Sequence, residues 1–493
     1  MSASGECLII GGGIAGVSCA ETLSILQPSL RTVLISASSL VKVATGVRQL
    51  TKTLDEFDVE ERPFDWVESR NANLSVVWGE VASLNPEEHV VVLRDGRRFT
   101  YKLLCICSGG KPKLIANDHP SVIGIRDTES VKEFISKLGD ARRVMIVGNG
   151  GIATEMASEL KDVELIWVVK DDSVSATFVD AGAAQFFLSS RRTRKENNSD
   201  HSNTNDDKPK VSKRLKYTEV HPCRSMTTHG SALGPDWAAD ILMKGKSNGK
   251  YDLNIQYSCE VQALMTHEEY LSSGDKSADE DGTKEVRWPV YAKLTNGKTF
   301  GCDFVVSATG VTPNLDFARS VLPVDGIAVD GGMKVDERME TCLRDVFAAG
   351  DVCTTMWEPA PHWMQMRLWS QARQMGSYAA KCMVAKWNNE EITLDFGFEM
   401  FSHATRFFGF KVILLGLFNG QRLGKEYEIL LRMNKGEEYI KAIVKDGRLQ
   451  GAILIGETDL EETFENLILN RIDISRFGED LLNPDVDIED YFD

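Results

Sequence analysis

The sequence predicts an α/β protein with two Rossmann-like dinucleotide-binding domains and a small, strand-rich α+β domain at its C-terminus. Three observations carry that reading. Leu8-Ile9-Ile10 runs directly into Gly11-Gly12-Gly13-Ile14-Ala15-Gly16 at the start of the chain. Val144-Met145-Ile146-Val147 does the same near the centre, leading into Gly148-Asn149-Gly150-Gly151-Ile152-Ala153. Beyond Phe396, the apolar runs Lys411–Leu415, Tyr427–Met433, Glu438–Val444 and Gly451–Ile455 are separated by turn signals such as Lys435-Gly436 and Asp446-Gly447, with a helical pattern over Leu460–Leu469.

Each glycine stretch has the form apolar strand, G-x-G-x-x-G/A, helix, which delivers the pyrophosphate of a dinucleotide to a helix N-terminus. The first glycine permits the tight turn. The second lets backbone N–H groups approach the phosphates, and the third position must be small for helix to pack on strand. Gly11, Gly13 and Gly16 satisfy these demands in the first stretch, and Gly148, Gly150 and Ala153 in the second. Two turns imply two nucleotide sites.

After the first turn, a helix from Ile14 to about Ile25 leads to the strand Thr32-Val33-Leu34-Ile35 and then Ser36. An acid at that point would hold a ribose hydroxyl pair, so here a neutral hydroxyl or backbone is expected to receive the adenosine end. Lys52 follows in Thr45–Lys52, within reach of a bound flavin or merely solvated. Alternation at Leu74–Trp78, at His89–Leu93 and over Phe99–Cys107 predicts further strands. The turn Ser108-Gly109-Gly110-Lys111-Pro112-Lys113 makes Gly110 and Lys111 candidate cofactor contacts. The crossover to the second nucleotide domain falls around Gly124–Thr128.

The second domain's strand Val163–Val169 ends in Lys170-Asp171-Asp172. A cation there would favour a 2′-phosphate and an acid a free ribose, so Lys170 is a candidate contact and NADH and NADPH are not separated. The expected boundaries are 1–125 with 303–396 for the first nucleotide domain, 126–302 for the second and 397–493 for the C-terminal domain. Two polar insertions interrupt the second domain. The one near 189–216 is read as loop, and carries Arg191-Arg192-Thr193-Arg194-Lys195 and Lys208-Pro209-Lys210-Val211-Ser212-Lys213-Arg214, a bipartite pattern of the kind import receptors read, or else a solvated loop. The other, near 266–285, is acidic and equally patternless. Later, Val346-Phe347-Ala348-Ala349-Gly350-Asp351 ends an apolar strand in a carboxylate, just before a helix is expected, where Asp351 can accept a ligand hydroxyl.

The formal net charge of −17 argues against nucleic-acid or anionic-membrane binding. No charged n-region and apolar h-region stand before the first strand, so a secreted form is not expected, and no apolar run is long enough to span a bilayer. The ten cysteines include no C-x-x-C pair and several lie in apolar runs, as reduced thiols in a cytosolic setting do. A cytoplasmic and nuclear location without a metal site is expected, with an acidic C-terminal tail from Gly478 that ends near Tyr491 and Phe492 and can dock on a protein partner.

The order of these pieces resembles the two-dinucleotide-binding flavoproteins of the pyridine nucleotide-disulphide oxidoreductase family over nearly the whole chain. Ser307-Ala308-Thr309-Gly310-Val311-Thr312-Pro313-Asn314 is similar to the family's A-T-G-x-x-P-N motif, Ala349-Gly350-Asp351 to its second FAD motif, and Trp369–Gly376 to the helix that follows. The segment from Phe401 to Phe464 extends the likeness into the C-terminal domain. The resemblance implies FAD in the first domain, NADH or NADPH in the second, and contacts from Gly310 and Gly350. It also implies that Asp351 binds the ribityl chain, that Glu155 faces nicotinamide and flavin, and that Lys52 pairs with that glutamate.

The sequence departs from the family at the chemistry, because no cysteine occurs between Cys19 and Cys105, where disulphide reductases keep their redox thiols. The expectation is an FAD-dependent NAD(P)H oxidoreductase that passes electrons from flavin to an acceptor the sequence does not name, in redox homeostasis or antioxidant protection. Two alternatives stand beside it. One is an NAD(P)H-gated flavoprotein that binds and protects a partner through its C-terminal domain or tail, and the other is a disulphide reductase using Cys105 or Cys107.

Overall fold

The computed structural model describes residues 2–126, 128–189, 212–218, 253–276 and 287–484. These fall into two compact units, one formed by the chain up to Lys111 with Val311–Phe401, the other by Pro112 to Gly310 with the chain from Ser402 onward.

In the first unit, Cys7–Ile10 is buried along its whole length, as a central strand of a parallel sheet must be. It lies between Leu103–Ile106 and Thr32–Ser36, with Val346–Ala348 and Leu74–Trp78 at the edges, and all pairings are parallel. The expected run Phe99–Cys107 is two strands. Arg98–Thr100 joins an antiparallel sheet with Val90–Leu93 and Val81–Asn85, while Leu103–Ile106 enters the parallel sheet. Helix Ile14–Leu26 packs on helix Trp369–Asn388 at near-backbone contact, because a Cβ on Gly376 would lie 2.1 Å from the Ala15 carbonyl oxygen. The chain reaches that helix less directly than expected, since the short strand Cys353–Thr355 follows Gly350-Asp351 before the helix starts at Trp369.

The second unit repeats this architecture strand for strand. Arg143–Val147 is central, flanked by Phe304–Ser307 and Glu164–Val168, with Val122–Ile123 and Leu253–Gln256 outermost. Between the equivalents of Leu74–Trp78 and Leu103–Ile106 runs an antiparallel meander, Val261–Met265, Val290–Leu294 and Thr299–Cys302. The pairing of Val144 with Phe304 and of Val147 with Ser307 moves 303–310 out of the first nucleotide domain, where the sequence pattern had put it. An apolar strand ending in Gly carries no mark of which sheet it will join. Likewise Phe398, buried against Trp363 and Tyr378, stays with the first unit.

The described parts of the polar insertions hold regular structure that their composition does not suggest. Helix His267–Ser273 opens on a capping box in which Thr266 and Glu269 each receive the other's backbone N–H. In the basic insertion, Ser212–Thr218 is a strand, pairing antiparallel with Glu428–Asn434. Arg191–Lys195, Lys208–Lys210 and the acidic insertion from residue 277 onward lie outside the described residues.

That strand forms one edge of a six-stranded antiparallel C-terminal sheet, which continues through Glu428–Asn434, Glu438–Lys445, Arg448–Ile455, Phe410–Gly416 and Ser402–Phe407, with helix Glu461–Leu469 against it. The expected tail begins folded, since Gly478–Leu482 is a 3-10 turn with Leu481 and Leu482 buried, whereas Tyr491 and Phe492 lie outside the described residues. No described helix is long and apolar enough to cross a membrane.

Within the second unit, one buried ion pair ties this sheet to the nucleotide fold. Lys441, 1% exposed, meets Asp180 at 2.5 Å and donates to Asn419 Oδ1, while the Tyr439 hydroxyl donates to the other Asp180 oxygen. Asp180 also receives the Ala183 N–H at the start of the helix over 181–189. Burial alone would raise the Asp180 pKa, but the Lys441 ammonium and these hydrogen bonds hold it below the usual carboxylate value. The pair's contribution is therefore complete at neutral pH and is lost only as pH falls below the unfolded carboxylate's ~3.9 toward the lower folded value. Lys441→Met should cost about 3–5 kcal/mol by leaving Asp180 buried and unpaired, measurable by chemical denaturation. Asp180→Asn with Lys441→Met should recover part of that loss.

Candidate functional site

The two glycine turns are built alike. Gly11 has φ +121, and a Cβ there would lie 2.1 Å from the Cys107 carbonyl oxygen at the end of Leu103–Ile106. Gly148 has φ +137, with a Cβ 2.1 Å from the Ala308 carbonyl oxygen at the end of Phe304–Ser307. In both turns the first glycine is excluded from substitution twice over, by conformation and by a neighbouring backbone. Its N–H donates to the adjacent strand, Gly11 to Ile35 O and Gly148 to Val168 O. The third positions differ. A Cβ on Gly16 would stand 1.9 Å from Gly11 O, whereas the second turn accommodates a fully buried Ala153.

The second glycines do the opposite. Gly13 caps helix Ile14–Leu26 and Gly150 caps Gly151–Glu159, neither with a side-chain cap, and a Cβ on either would meet nothing within 4 Å. Each leaves a cradle lined by helix N–H groups, which suits a pyrophosphate. The residues present fit the two dinucleotides that the turns imply.

The register of the first unit brings Gly350-Asp351 to the first turn. Gly350 has φ +81 and a Cβ there would lie 2.8 Å from Ala15 Cβ, so Asp351, itself buried, sits beside the start of helix Ile14–Leu26. Sequence reasoning missed the residue that fixes it. Arg367, 2% exposed, donates through Nε to the Asp351 carbonyl at 2.8 Å and through Nη2 to Asp330 at 2.7 Å. Its Nη1 is buried without a protein hydrogen-bond partner. Burial pulls Asp330 upward, but the guanidinium holds it below the ordinary carboxylate range.

Other candidates are placed less directly. The Ser36 hydroxyl is buried and donates to Ser38 O at 2.8 Å, leaving only its lone pairs for a ligand. By register, the second-unit equivalent of Ser36 is Val169 rather than Lys170, because Ile35 and Val168 accept the equivalent glycine N–H groups. Lys170 is exposed one residue further on, and Asp171 accepts a hydrogen bond from Asn149 Nδ2 at 2.8 Å. Asn149, between the glycines, also bonds Ser173 O and the Ser175 N–H, so it holds the loop that borders the turn. Lys111 is exposed and ion-paired with Asp316. Gly110 packs against Val311 and Thr312 O, Ser108 donates to Asn314 O, and in the second unit Thr309 donates to Lys113 O beside Gly310. Glu155 is buried in the second unit's turn helix, and Lys52 is exposed between Leu40–Gln49 and Asp55–Pro63 in the first unit.

The sequence pattern of pyridine nucleotide-disulphide oxidoreductases matches residues 5–193 and 271–376, a span that holds both glycine turns and Gly350-Asp351. The chain belongs to that family. It is therefore an oxidoreductase of a family that binds FAD and NAD(P)H. Residues 404–472 match the rubredoxin NAD+ reductase C-terminal domain. The reductase is 48% identical over 506 residues to the mouse protein called pyridine nucleotide-disulfide oxidoreductase domain-containing protein 1, covering 99% of each chain. Its zebrafish namesake (Danio rerio) is 50% identical over 496 residues, with 99% of this chain and 97% of that one covered. Among solved structures, putidaredoxin reductase in covalent complex with putidaredoxin shares the fold at a TM-score of 0.62 and 15% identity, covering 95% of this chain and 94% of that one.

Because the Gly13 and Gly150 cradles are open, Gly13→Val should abolish flavin retention in folded protein, and Gly150→Val should leave flavin bound but stop its reduction by NAD(P)H. Flavin absorbance after purification and after anaerobic mixing reads both. Arg367→Gln should lower the FAD content of purified protein several-fold, with Arg367→Lys intermediate.

Proposed function

We propose that this reductase takes hydride from NADH or NADPH onto FAD and passes the electrons to an acceptor without an intervening thiol pair, in cellular redox homeostasis or antioxidant protection. FAD, when bound, supplies the two-electron chemistry. The chain's own residues supply position: helix N–H groups at Gly13 and Gly150 for the two pyrophosphates, and Asp351, held by Arg367, for the ribityl hydroxyls. Glu155 and Lys52 are proposed to face the reacting rings. Alignment of donor and acceptor is where such a protein contributes most to rate.

The observation that carries the thiol-free reading is the state of Cys105 and Cys107. Their sulfurs lie 3.5 Å apart, but both are buried in the core beneath the first turn. Hydrogen bonding to Cys105 and burial push the Cys107 thiol well above its ordinary pKa. For Cys105 the bond with Cys107 acts downward, yet its bond with Cys19 and burial outweigh it. A thiol kept protonated and shielded is a poor nucleophile toward a disulphide.

A second reading, NAD(P)H-gated binding of a partner protein through the C-terminal domain, draws support from one polar route. Asn149 grips the loop at Ser173 and Ser175, and a few residues on Asp180 engages Lys441 and Tyr439 of the C-terminal sheet. Nucleotide binding at the turn is thus linked to that sheet through one short segment. A nuclear as well as cytoplasmic location is proposed on the two basic clusters alone. Alanine replacement of both should reduce nuclear accumulation of the tagged protein.

Anaerobic titration with NADH and with NADPH, followed by flavin absorbance, tests the main reading, and admission of candidate acceptors then tests reoxidation. Replacing Cys105 and Cys107 with Ala should leave the rate of flavin reduction within about twofold, since the cost falls on packing, at roughly 1 kcal/mol per truncated side chain. Loss of reduction in folded double variant would restore the disulphide reading. Bleaching that is fast, with reoxidation that stays slow for every acceptor, would favour the partner-binding reading.

A further inference from the structure

Superimposing the two units by register reveals a feature that the glycine motifs do not contain. In the first unit Ile35 pairs with Val77 and Ser36 with Trp78, at the C-terminal ends of their strands. In the second, Val168 pairs with Gln256, so Tyr257 stands where Trp78 stands. Both are exposed aromatics on the C-terminal edge of a parallel sheet: Trp78 is 62% and Tyr257 38% exposed. A single exposed side chain is ordinary, but here an aromatic recurs at the same register position of both nucleotide folds, where a flat apolar face can take a ligand's ring.

The surroundings say what that ligand is. Trp78 is not loose, because its indole N–H donates to Ala37 O at 3.1 Å, next to the Ser36 whose hydroxyl is spent on Ser38 O. Its backbone is fixed as well, with the Gly79 N–H on Ser36 O and Arg97 Nη2 on the Trp78 carbonyl. In open parallel sheets ligands bind beyond the C-terminal ends of the strands, and the second strand's end is where the adenosine half lies. Neither unit has an acid at the ribose position, which is Ser36 in one and Val169 in the other. A carboxylate at the register position itself is thus absent twice, with Lys170 and Asp171 following it in the second unit, and an exposed aromatic stands beside that position twice.

We infer that Trp78 and Tyr257 are the adenine platforms of the two dinucleotide sites, stacking on the base of the flavin dinucleotide and of the nicotinamide dinucleotide respectively. This rests on the oxidoreductase reading above. Stacking accepts any purine face and needs no carboxylate, so it replaces affinity that the missing acid would have supplied. It acts on the dinucleotide and leaves the corresponding mononucleotide unaffected, since only the dinucleotide has an adenine.

The test uses that difference. Protein stripped of flavin is titrated with FAD and with FMN, for the parent and for Trp78→Ala and Trp78→Phe. Trp78→Ala should weaken FAD about tenfold, as loss of one base–aromatic stack does, while FMN binding stays unchanged and Trp78→Phe recovers most of the FAD affinity. For Tyr257→Ala, the apparent KM for NADH in flavin reduction should rise about tenfold, with that for reduced nicotinamide mononucleotide unchanged and Tyr257→Phe close to parent. Equal losses for dinucleotide and mononucleotide, or no loss for either, would overturn the inference. Should Trp78→Ala fail to fold, the Phe variant and the Tyr257 arm decide it. Failure of the parent to bind any flavin would instead overturn the oxidoreductase reading itself.

Discussion

The contact on which the structure depends is the approach of one backbone to another at the first glycine of each turn. At Gly11 and Gly148 the Cα lies against the carbonyl that follows the neighbouring strand, Cys107 O and Ala308 O respectively, closer than any Cβ allows. That approach lets a central strand turn sharply into a helix while the neighbouring strand still pairs at full length. From it follow the direction of the helix, the open cradle at Gly13 and Gly150, and the position of whatever stands at the other strand ends. Gly376 applies the same device a second time in the first unit, letting Trp369–Asn388 rest on the first turn of Ile14–Leu26. Helix, turn and sheet are therefore set relative to one another by backbone contacts, onto which buried side chains such as Val17, Cys19 and Leu23 add their packing.

Side chains enter where the backbone leaves choices open. Arg367 secures Asp351 through its carbonyl rather than its carboxylate, so the functional group remains directed by backbone geometry while the buried charge is balanced by Asp330. Asn149 does comparable work in the second unit, converting a loop with no regular structure into a fixed border of the turn. A guanidinium and a carboxamide suit these tasks because the first offers several donors, and the second both donors and an acceptor, in a planar, rigid group.

What was legible in the sequence is what the backbone alone demands. Gly11, Gly148 and Gly350 are dictated by φ and close approach, Gly16 by close approach, and Gly13 and Gly150 by the open cradle they leave, so their spacing announces them. The strand Thr32–Ser36 and the helix Glu461–Leu469 carry their own periodicity. Arg367 and Asn149 stayed hidden because their partners are recognisable only after folding: nothing in the chain marks an arginine that will bond a carbonyl sixteen residues back. Ser36 and Lys111 have the right residue type in the right segment, but only the folded structure shows that the Ser36 hydroxyl donates to Ser38 and that Lys111 pairs with Asp316. The membership of Phe304–Ser307 in the second sheet was equally invisible, since a buried parallel strand has no face that names its neighbour. The helix at His267–Ser273 was written in the sequence as Thr266-x-x-Glu269, a local signal outweighed by the acidic composition around it.

The strand-for-strand repetition of the two units has a use outside the chemistry of either. Positions 11 and 148, 13 and 150, 16 and 153, 78 and 257 are the same place in the same architecture, within a single polypeptide. A substitution at one leaves its counterpart untouched in the same molecule, at the same concentration and in the same solvent. The protein thus carries an internal reference for its own perturbation. Wherever a pair differs, as Gly16 does from Ala153 and Trp78 from Tyr257, the difference shows how much freedom one architecture leaves at that place.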